Sequence, residues 1–256
     1  MRTALKTMSI GCWIALSAGC TTGQPETFTF TADLPPDFAY VAVVYYEPAK
    51  GETCTVETRD NKAPVFNRNW RTEYQPDAEI TIRRTRNGCP LVISQIKLEI
   101  NASYGKTRRD FGGDNAVVAI REELEEQYKG TFDEAGESAF YGQCQWLFRT
   151  SGEPRILRKI LDCKKTNPLG EPGQGRPFAA YTLDQLPGKT VKMNIKLSDE
   201  EAPYYSGWWL HREDGWRPCT GRWGTSNEEL CLTPPQFTDF MMPDGRKCTV
   251  YPGCTE

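Results

Sequence analysis

Residues 144–163 read CQWLFRTSGEPRILRKILDC, and this stretch decides the fold. The turn signal Ser151-Gly152-Glu153-Pro154 lies midway between its two cysteines and has apolar residues on both sides. Folding the stretch symmetrically about this turn makes favourable cross-strand pairs of Cys144 with Cys163, Trp146 with Leu161, and Leu147 with Ile160. The pair of Phe148 with Lys159 is less favourable, so a bulge near the turn is an alternative. The sequence therefore predicts a β-hairpin closed by a disulfide bond.

Strand patterns continue through the rest of the chain. The apolar run from Phe38 to Tyr46 is typical of a central strand. Apolar residues alternate with polar ones at Ile96, Leu98 and Ile100, and again at Val191, Met193, Ile195 and Leu197. The one predicted helix is short, from Arg121 to Tyr128, and its four glutamates form a solvated face. The predicted fold class is mostly β, stabilised by disulfides, with little helix.

A loose internal similarity suggests two β-sandwich-like halves. Cys54 and Cys163 each follow a strand pair, and each precedes a proline-aromatic stretch and then an alternating strand. The halves would be a β-rich range 31–135 and a disulfide-rich range 136–256, with the boundary in the Gly/Glu-rich residues 130–138. The alternative is a single mixed domain, because similarity this loose arises easily among β segments.

Residues 1–19 have the features of a signal peptide. Arg2 and Lys6 give a basic start, Met8 to Leu16 an apolar stretch, and Ser17-Ala18-Gly19 a small-residue end. An apolar run of about nine residues is too short to span a bilayer, which takes about twenty. The sequence therefore predicts export without a permanent membrane span.

The end of this segment, Leu16-Ser17-Ala18-Gly19-Cys20, resembles the lipobox of bacterial lipoproteins. It departs from that pattern because the bulky residue lies one place earlier than usual. The resemblance implies lipid on Cys20, a tether over residues 20–30 and, since Thr21 rather than Asp follows the cysteine, a periplasm-facing anchor in the outer membrane. The alternatives are ordinary cleavage to a soluble periplasmic protein and an uncleaved cytosolic chain.

The cysteine count supports an oxidising compartment. Of ten cysteines, Cys12 leaves with the signal and Cys20 carries lipid, so eight remain. An even number in an exported chain predicts four disulfides. The spacing favours consecutive pairing, Cys54 with Cys89, Cys144 with Cys163, Cys219 with Cys231, and Cys248 with Cys254. A zinc site is disfavoured because the chain has one histidine, His211, and no CxxC pair. We expect no metal and no cofactor.

Charge and motifs argue against several functional classes. Loss of the two signal-peptide cations leaves 29 basic and 34 acidic residues, a formal charge of −5, which argues against a nucleic-acid partner. The chain contains no GxSxG, Walker, HExxH or GxGxxG motif. We therefore expect no enzyme activity. Catalysis through His211, or by a pair of carboxylates whose geometry the sequence does not show, is the remaining alternative.

The segment 204–223 is the candidate binding region. Its predicted binding residues are Tyr204, Tyr205, Trp208, Trp209, Trp216, Arg217 and Trp223. The hairpin signal Asp214-Gly215 should bring Trp209 and Trp216 close together. The rings either fill the core of a small disulfide-rich subdomain or form an exposed patch, and such a patch suits a protein interface or stacking on sugar rings.

The mature chain, including Tyr141–Thr150 (YGQCQWLFRT) and Asp244–Thr249 (DGRKCT), resembles a family of proteobacterial periplasmic lipoproteins encoded beside type VI secretion effectors. Members of that family act as immunity proteins. The resemblance implies a protein partner, an envelope-targeted effector such as a phospholipase, and membrane contact through the lipid anchor. It carries over no catalytic residue, because these proteins cover a toxin's active site. The alternatives are a glycan- or peptidoglycan-binding module, supported by Glu213 and Asp214 beside the aromatics, and a structural lipoprotein of the envelope.

Overall fold

The structure is a computed structural model that describes residues 26–57, 61–64, 74–221, 231 and 233–254. The predicted signal peptide, the predicted lipidation residue Cys20 and the predicted binding residue Trp223 lie outside these ranges. Within the described residues the chain is built from strands joined by turns, as the sequence predicts.

Two sheets account for most of the strands. The first sheet contains β1 (Thr27–Asp33), β4 (Ala78–Thr81), β8 (Glu137–Ser151), β9 (Ile156–Thr166), β11 (Thr190–Leu197), β12 (Ala202–Pro203), β15 (Phe240–Met241) and β16 (Lys247–Cys248). The second sheet contains β2 (Phe38–Pro48), β3 (Lys62–Pro64), β5 (Arg83–Arg86), β6 (Cys89–Ser103), β7 (Phe111–Arg121) and β10 (Phe178–Thr182). A separate hairpin pairs β13 (Trp209–Arg212) with β14 (Gly215–Pro218). The strand orders are β16-β15-β9-β8-β11-β1-β4 with β12 on β8, and β10-β7-β6-β2-β3 with β5 on β6.

The β8–β9 hairpin has the predicted register. Its ladder places Cys144 opposite Cys163, Trp146 opposite Leu161, and Leu147 opposite Ile160. Phe148 lies opposite Lys159, and the ladder is continuous from Tyr141–Thr166 to Ser151–Ile156, without a bulge near the turn. Lys159 is accommodated because its Nζ lies 2.5 Å from a carboxylate oxygen of Glu201.

The predicted helix from Arg121 to Tyr128 is wrong. Arg121 ends β7 as an extended residue opposite Thr182 of β10, and only Glu126–Tyr128 form a single 3-10 turn. Glutamates three and four positions apart would repel one another on a helix, so the acidic run weakens the helical conformation. In the described ranges the other helical pieces are also 3-10 turns, at Leu183–Gln185 and Ser206–Trp208. None of them is long and apolar enough to span a membrane.

The ranges 31–135 and 136–256 share both sheets. The predicted tether over residues 20–30 is wrong from Thr27 on, because Thr27–Asp33 form β1 and Phe30 is fully buried. β4 of the first range lies in one sheet with β8 and β11 of the second, and β10 lies in parallel beside β7, so each sheet combines strands from both ranges. The main core between the sheets also draws on both, with Tyr40 and Met193 at most 1% exposed. Because strands of each range pair with strands of the other and bury their apolar side chains in one core, the two ranges do not form separate sandwiches.

The four consecutive disulfides are confirmed. The structure pairs Cys54 with Cys89, Cys144 with Cys163, Cys219 with Cys231, and Cys248 with Cys254. Cys144 and Cys163 are both fully buried and cross-link the two longest strands of the first sheet. The last two bridges lie in the C-terminal part of the chain, where the strands are short.

Removing the hairpin disulfide should destabilise the protein more than removing the last one. The sequence separation is 19 residues in Cys144–Cys163 and 6 in Cys248–Cys254, and the longer loop gains more entropy on unfolding when its bridge is absent. Replacing Cys144 and Cys163 by Ala should lower the free energy of unfolding by about 3 kcal/mol, and replacing Cys248 and Cys254 by about 2 kcal/mol. Urea unfolding followed by tryptophan fluorescence measures both losses. A larger loss for the second pair would contradict this account.

Candidate protein-binding surface

One face of the β8–β9 hairpin contributes to two hydrophobic clusters. Because alternate residues of a strand point to the same side, Cys144, Trp146 and Phe148 share a face. Cys144 and Trp146 pack in the main core, whereas Phe148 packs in a second cluster. The second cluster is completed by residues 202–221, 231 and 233–254, which we call the C-terminal module. This module therefore covers the end of the hairpin that extends beyond the sandwich.

Phe148 is the centre of the second cluster. Its ring is fully buried, with ring centroids 4.5 Å from Tyr251, 4.9 Å from Trp209 and 5.9 Å from Trp216. Trp209 also packs against Phe240 at 5.4 Å. Such aromatic pairs contribute about 0.5–1.5 kcal/mol each beyond the area they bury. The aromatic residues of the module are thus gathered around one ring of the hairpin.

Arg155 attaches the module to the hairpin turn. Its guanidinium donates hydrogen bonds to the carbonyl oxygens of Cys219 at 3.2 Å, Thr220 at 2.7 Å and Gly221 at 3.3 Å. Its own carbonyl oxygen accepts a hydrogen bond from the backbone N–H of Met241 at 3.1 Å. Because the guanidinium offers several donors in a fixed plane, one side chain satisfies three carbonyls. Arg155 therefore connects two segments of the module, residues 219–221 and the strand that contains Met241, to the hairpin turn.

A buried tyrosine and an ion pair fix the other side of the module. The Tyr251 hydroxyl donates a hydrogen bond to Glu201, whose other carboxylate oxygen lies 2.5 Å from Lys159 Nζ. Burial first, then the hydrogen bond to Glu201 and the charge of Glu201, raise the pKa of Tyr251 above its ordinary value. The hydroxyl consequently stays protonated, and a donor, at pH values where an ordinary tyrosine would ionise. Phe148 can lie opposite Lys159 because the lysine charge is paired with Glu201.

The β13–β14 hairpin forms, but one residue out of the predicted position. The loop residues are Glu213 and Asp214, and Gly215 already belongs to the ladder. A Cβ atom on Gly215 would lie 2.5 Å from the carbonyl oxygen of Tyr251, so the close approach of that backbone requires glycine. Trp216 lies opposite His211, with ring centroids 4.7 Å apart. Trp216 therefore approaches Trp209 through their shared contact with Phe148 and not directly across the turn.

The predicted binding residues divide by burial. Trp209 is 3% exposed and belongs to the core of the module. Tyr205, Trp208, Trp216 and Arg217 are half-buried, and Tyr204 is 41% exposed. The hydrogen bond from Arg217 lowers the pKa of Asp214. Both sequence interpretations of the segment thus apply, the core interpretation to Trp209 and the exposed-patch interpretation to Tyr204.

The accessible rings form a row along one edge of the hairpin. Tyr204 and Tyr205 have ring centroids 4.6 Å apart, and those of Tyr205 and Trp208 are 5.1 Å apart. The Arg149 guanidinium lies 5.8 Å from the Tyr204 ring, and the Tyr204 backbone N–H donates to the carbonyl oxygen of Phe148 at 2.8 Å. We call Arg149, Tyr204, Tyr205 and Trp208 the aromatic row. Tyrosine, tryptophan and arginine are the residues most enriched in protein-binding hot spots.

Sequence reasoning missed Phe148, Arg155 and Tyr251 as organisers of this surface. Phe148 and Arg155 lie in the hairpin stretch and Tyr251 near the C-terminus, all outside the aromatic-rich segment. A weak signal was present, since the unfavourable Phe148–Lys159 pair indicated that something else must cover that end of the hairpin.

Comparison with protein-family models, with curated proteins and with solved structures finds no match to this chain. In the part of the chain that the structure describes, no group of His, Cys, Asp and Glu side chains is arranged to hold a metal ion.

Truncating the two kinds of aromatic residue should have different effects on stability. Trp209→Ala should lower the free energy of unfolding by about 3–5 kcal/mol, because it removes a buried ring that packs against Phe148 and Phe240 in the second cluster. Tyr204→Ala should change it by less than about 0.5 kcal/mol, because its exposed ring has little burial to lose. Denaturant unfolding of the two variants measures both values. Equal losses would show that Tyr204 belongs to the core as well.

Proposed function

We propose that this protein is an envelope lipoprotein that binds and inhibits a protein partner, as an immunity protein against a periplasm-targeted toxin such as a type VI secretion phospholipase. The aromatic row is the observation that carries the proposal. It places exposed and half-buried rings with an arginine on the edge of a hairpin that a disulfide and a packed module hold in place. A rigid surface loses little entropy on binding, so more of the contact energy remains as affinity.

The strand directions support an orientation in which the module faces away from the membrane. Thr190 of β11 lies opposite both Thr29 of β1 and Glu137 of β8 in parallel ladders, so these three strands start at one end of the sheet. The six residues 20–25 precede Glu26, and a chain of this length spans at most about 20 Å. β8 has 15 residues and extends about 50 Å at the usual rise. Lipid on Cys20 would hold the strand starts near the bilayer and project the module into the periplasm.

Inhibition of this kind needs no chemistry from the protein. Protection comes from occupying the toxin's active site, so it requires stoichiometric protein and no turnover. A glycan-binding function remains the second candidate because the exposed Tyr204 ring could stack on a sugar. Of the two carboxylates that could bind sugar hydroxyls, Asp214 is paired with Arg217 at 2.5 Å and Glu213 is exposed.

The lipid anchor can be tested by metabolic labelling with a fatty acid. The wild-type protein should be labelled and Cys20→Ala should not, because the acyl chains attach to that cysteine. Electrophoresis with detection of the label measures the result. Equal labelling of the two proteins would exclude Cys20 as the lipidated residue.

The inhibitory function can be tested with the products of the neighbouring genes. Each is expressed in the periplasm with and without this protein, and we expect one product to be toxic alone and harmless when this protein is present in at least equal amount. Tyr204→Ala should weaken binding by about 2 kcal/mol, which raises the dissociation constant about thirtyfold.

The matched control is Tyr128→Ala, which removes another exposed tyrosine, 62% accessible, from the 3-10 turn after β7. It should protect like the wild type. The proposal fails if no neighbouring product is toxic or bound, and binding of peptidoglycan fragments instead would support the glycan-binding candidate.

A further inference from the structure

The other edge of the hairpin, along β9, opens into a groove. β15 pairs with β9 at Ile156, and Asp114 of β7 accepts a hydrogen bond from the backbone N–H of Cys163 at 2.7 Å. Beside Ile156 and Arg158 of β9 lies a groove of about 440 Å³. We call it the arginine–methionine groove, after its lining residues Arg108, Arg109, Arg158, Met241 and Met242.

One wall of the groove is a preformed basic loop. Asp110 is 3% exposed, accepts a hydrogen bond from the Thr107 backbone N–H at 3.0 Å, and lies 3.6 Å from Arg158. Arg108 and Arg109 are exposed, and neither forms an ion pair with another described residue. This wall therefore carries three guanidinium groups and one carboxylate. It is positively charged on a chain whose mature form is net acidic.

The opposite wall is apolar and is held in place by a hydrogen-bonded turn and a disulfide. Met241, Met242 and Pro243 form it, and a turn returns the chain with a hydrogen bond from the Met242 backbone N–H to the Arg246 carbonyl oxygen at 2.8 Å. Cys248, fully buried and bonded to Cys254, anchors the strand that follows. Methionine side chains are flexible and polarisable, so they adapt to differently shaped apolar groups.

We propose that the arginine–methionine groove binds a segment of the partner protein in which acidic and apolar side chains alternate. This inference rests on the proposed function and names the chemistry of the partner. Carboxylates would pair with the Arg108 and Arg109 guanidiniums, which can bind both oxygens of a carboxylate in one plane. Apolar side chains of the same segment would pack on Met241 and Met242. An extended segment presents the two kinds of side chain on opposite sides, as the two walls require.

A second copy of this chain is a poorer occupant. Its own acidic segment, residues 122–128, has similar chemistry but follows Arg121, which lies opposite Thr182 at the strand-start end of the fold. The Gly188 backbone N–H donates to the Thr27 carbonyl oxygen at 2.9 Å and confirms that β1 begins at this end. With every copy anchored through Cys20, the strand-start end of one copy cannot reach the distal groove of another.

The groove and the aromatic row lie on opposite edges of the same hairpin. Tyr204 is attached along β8, whereas Met241 is attached at the start of β9. A partner that grips the distal end from both sides would therefore contact both surfaces. Charges at the groove would act mainly on encounter and orientation, and the rings on the lifetime of the complex.

The test measures binding of a short soluble peptide in which Glu alternates with Leu and Phe, by fluorescence anisotropy with the purified mature protein. The wild type should bind it and should not bind the peptide with Lys in place of Glu. Arg109→Glu should weaken binding at least about tenfold, since it replaces attraction by repulsion at the groove. Met242→Ala should weaken it severalfold.

The control is Arg83→Glu, which reverses the charge of an exposed arginine of β5 near the strand starts. It should bind the peptide like the wild type.

Circular dichroism checks that each variant is folded, and Arg109→Gln replaces Arg109→Glu if the latter unfolds. Equal binding of the peptide by wild type and the Arg109 variant would overturn the inference. The inference would also be overturned if the wild type bound phosphatidylglycerol vesicles, or formed a dimer in sedimentation, and the Arg109 variant alone lost that property. These two results would assign the groove to a lipid surface or to a second copy.

Failure of this inference can be told apart from failure of the proposed function. A neighbouring toxin that is bound equally by wild type and Arg109→Glu, but weakly by Tyr204→Ala, overturns the groove and leaves the immunity function standing. Peptide binding with the expected dependence on Arg109 and Met242, in the absence of any bound toxin, supports the groove and overturns the immunity function.

Discussion

The structure depends on the fact that one face of the β8–β9 hairpin is longer than the sandwich that covers it. Because side chains of alternate residues share a face, Phe148 is aligned with Cys144 and Trp146. Unlike them, it lies beyond the main core and belongs to the second cluster. An exposed aromatic ring at the end of a long hairpin would remain in contact with water. The C-terminal module solves this by packing Trp209, Tyr251 and further rings around it.

Polar contacts determine how the module lies on the hairpin. Hydrophobic packing alone is non-directional, whereas the three carbonyls bound by Arg155 and the Tyr251–Glu201–Lys159 chain have specific geometry. These contacts attach the module on both sides of the hairpin. As a result, the aromatic row lies along the β8 edge and the arginine–methionine groove along the β9 edge. The two proposed binding surfaces are consequences of how one hydrophobic ring is covered.

The proposed function at the distal end is consistent with the same geometry. Parallel β1, β8 and β11 start together, so the proposed lipid on Cys20 would place the strand starts near the membrane and the module far from it. The module is rigid because two of the four disulfides and a second cluster hold its short strands. A preorganised surface of this kind would suit the proposed binding of a toxin in the periplasm.

The sequence by itself determined the features that depend on neighbours in the chain. The hairpin register follows from a turn signal and a period of two, and the consecutive disulfides follow from short or moderate loops between successive cysteines, so both could be predicted. The tertiary structure alone decided the rest. The predicted helix begins at Arg121, and that residue became a strand end because β10 pairs with β7 there. A loose repeat became one shared core because strands from both ranges pair across it. Trp209 is buried and Tyr204 exposed because Phe148, distant in sequence, faces only one of them. Which ring of this segment is buried depends on which segments meet in space, and the local sequence around Tyr204 and Trp209 does not encode it.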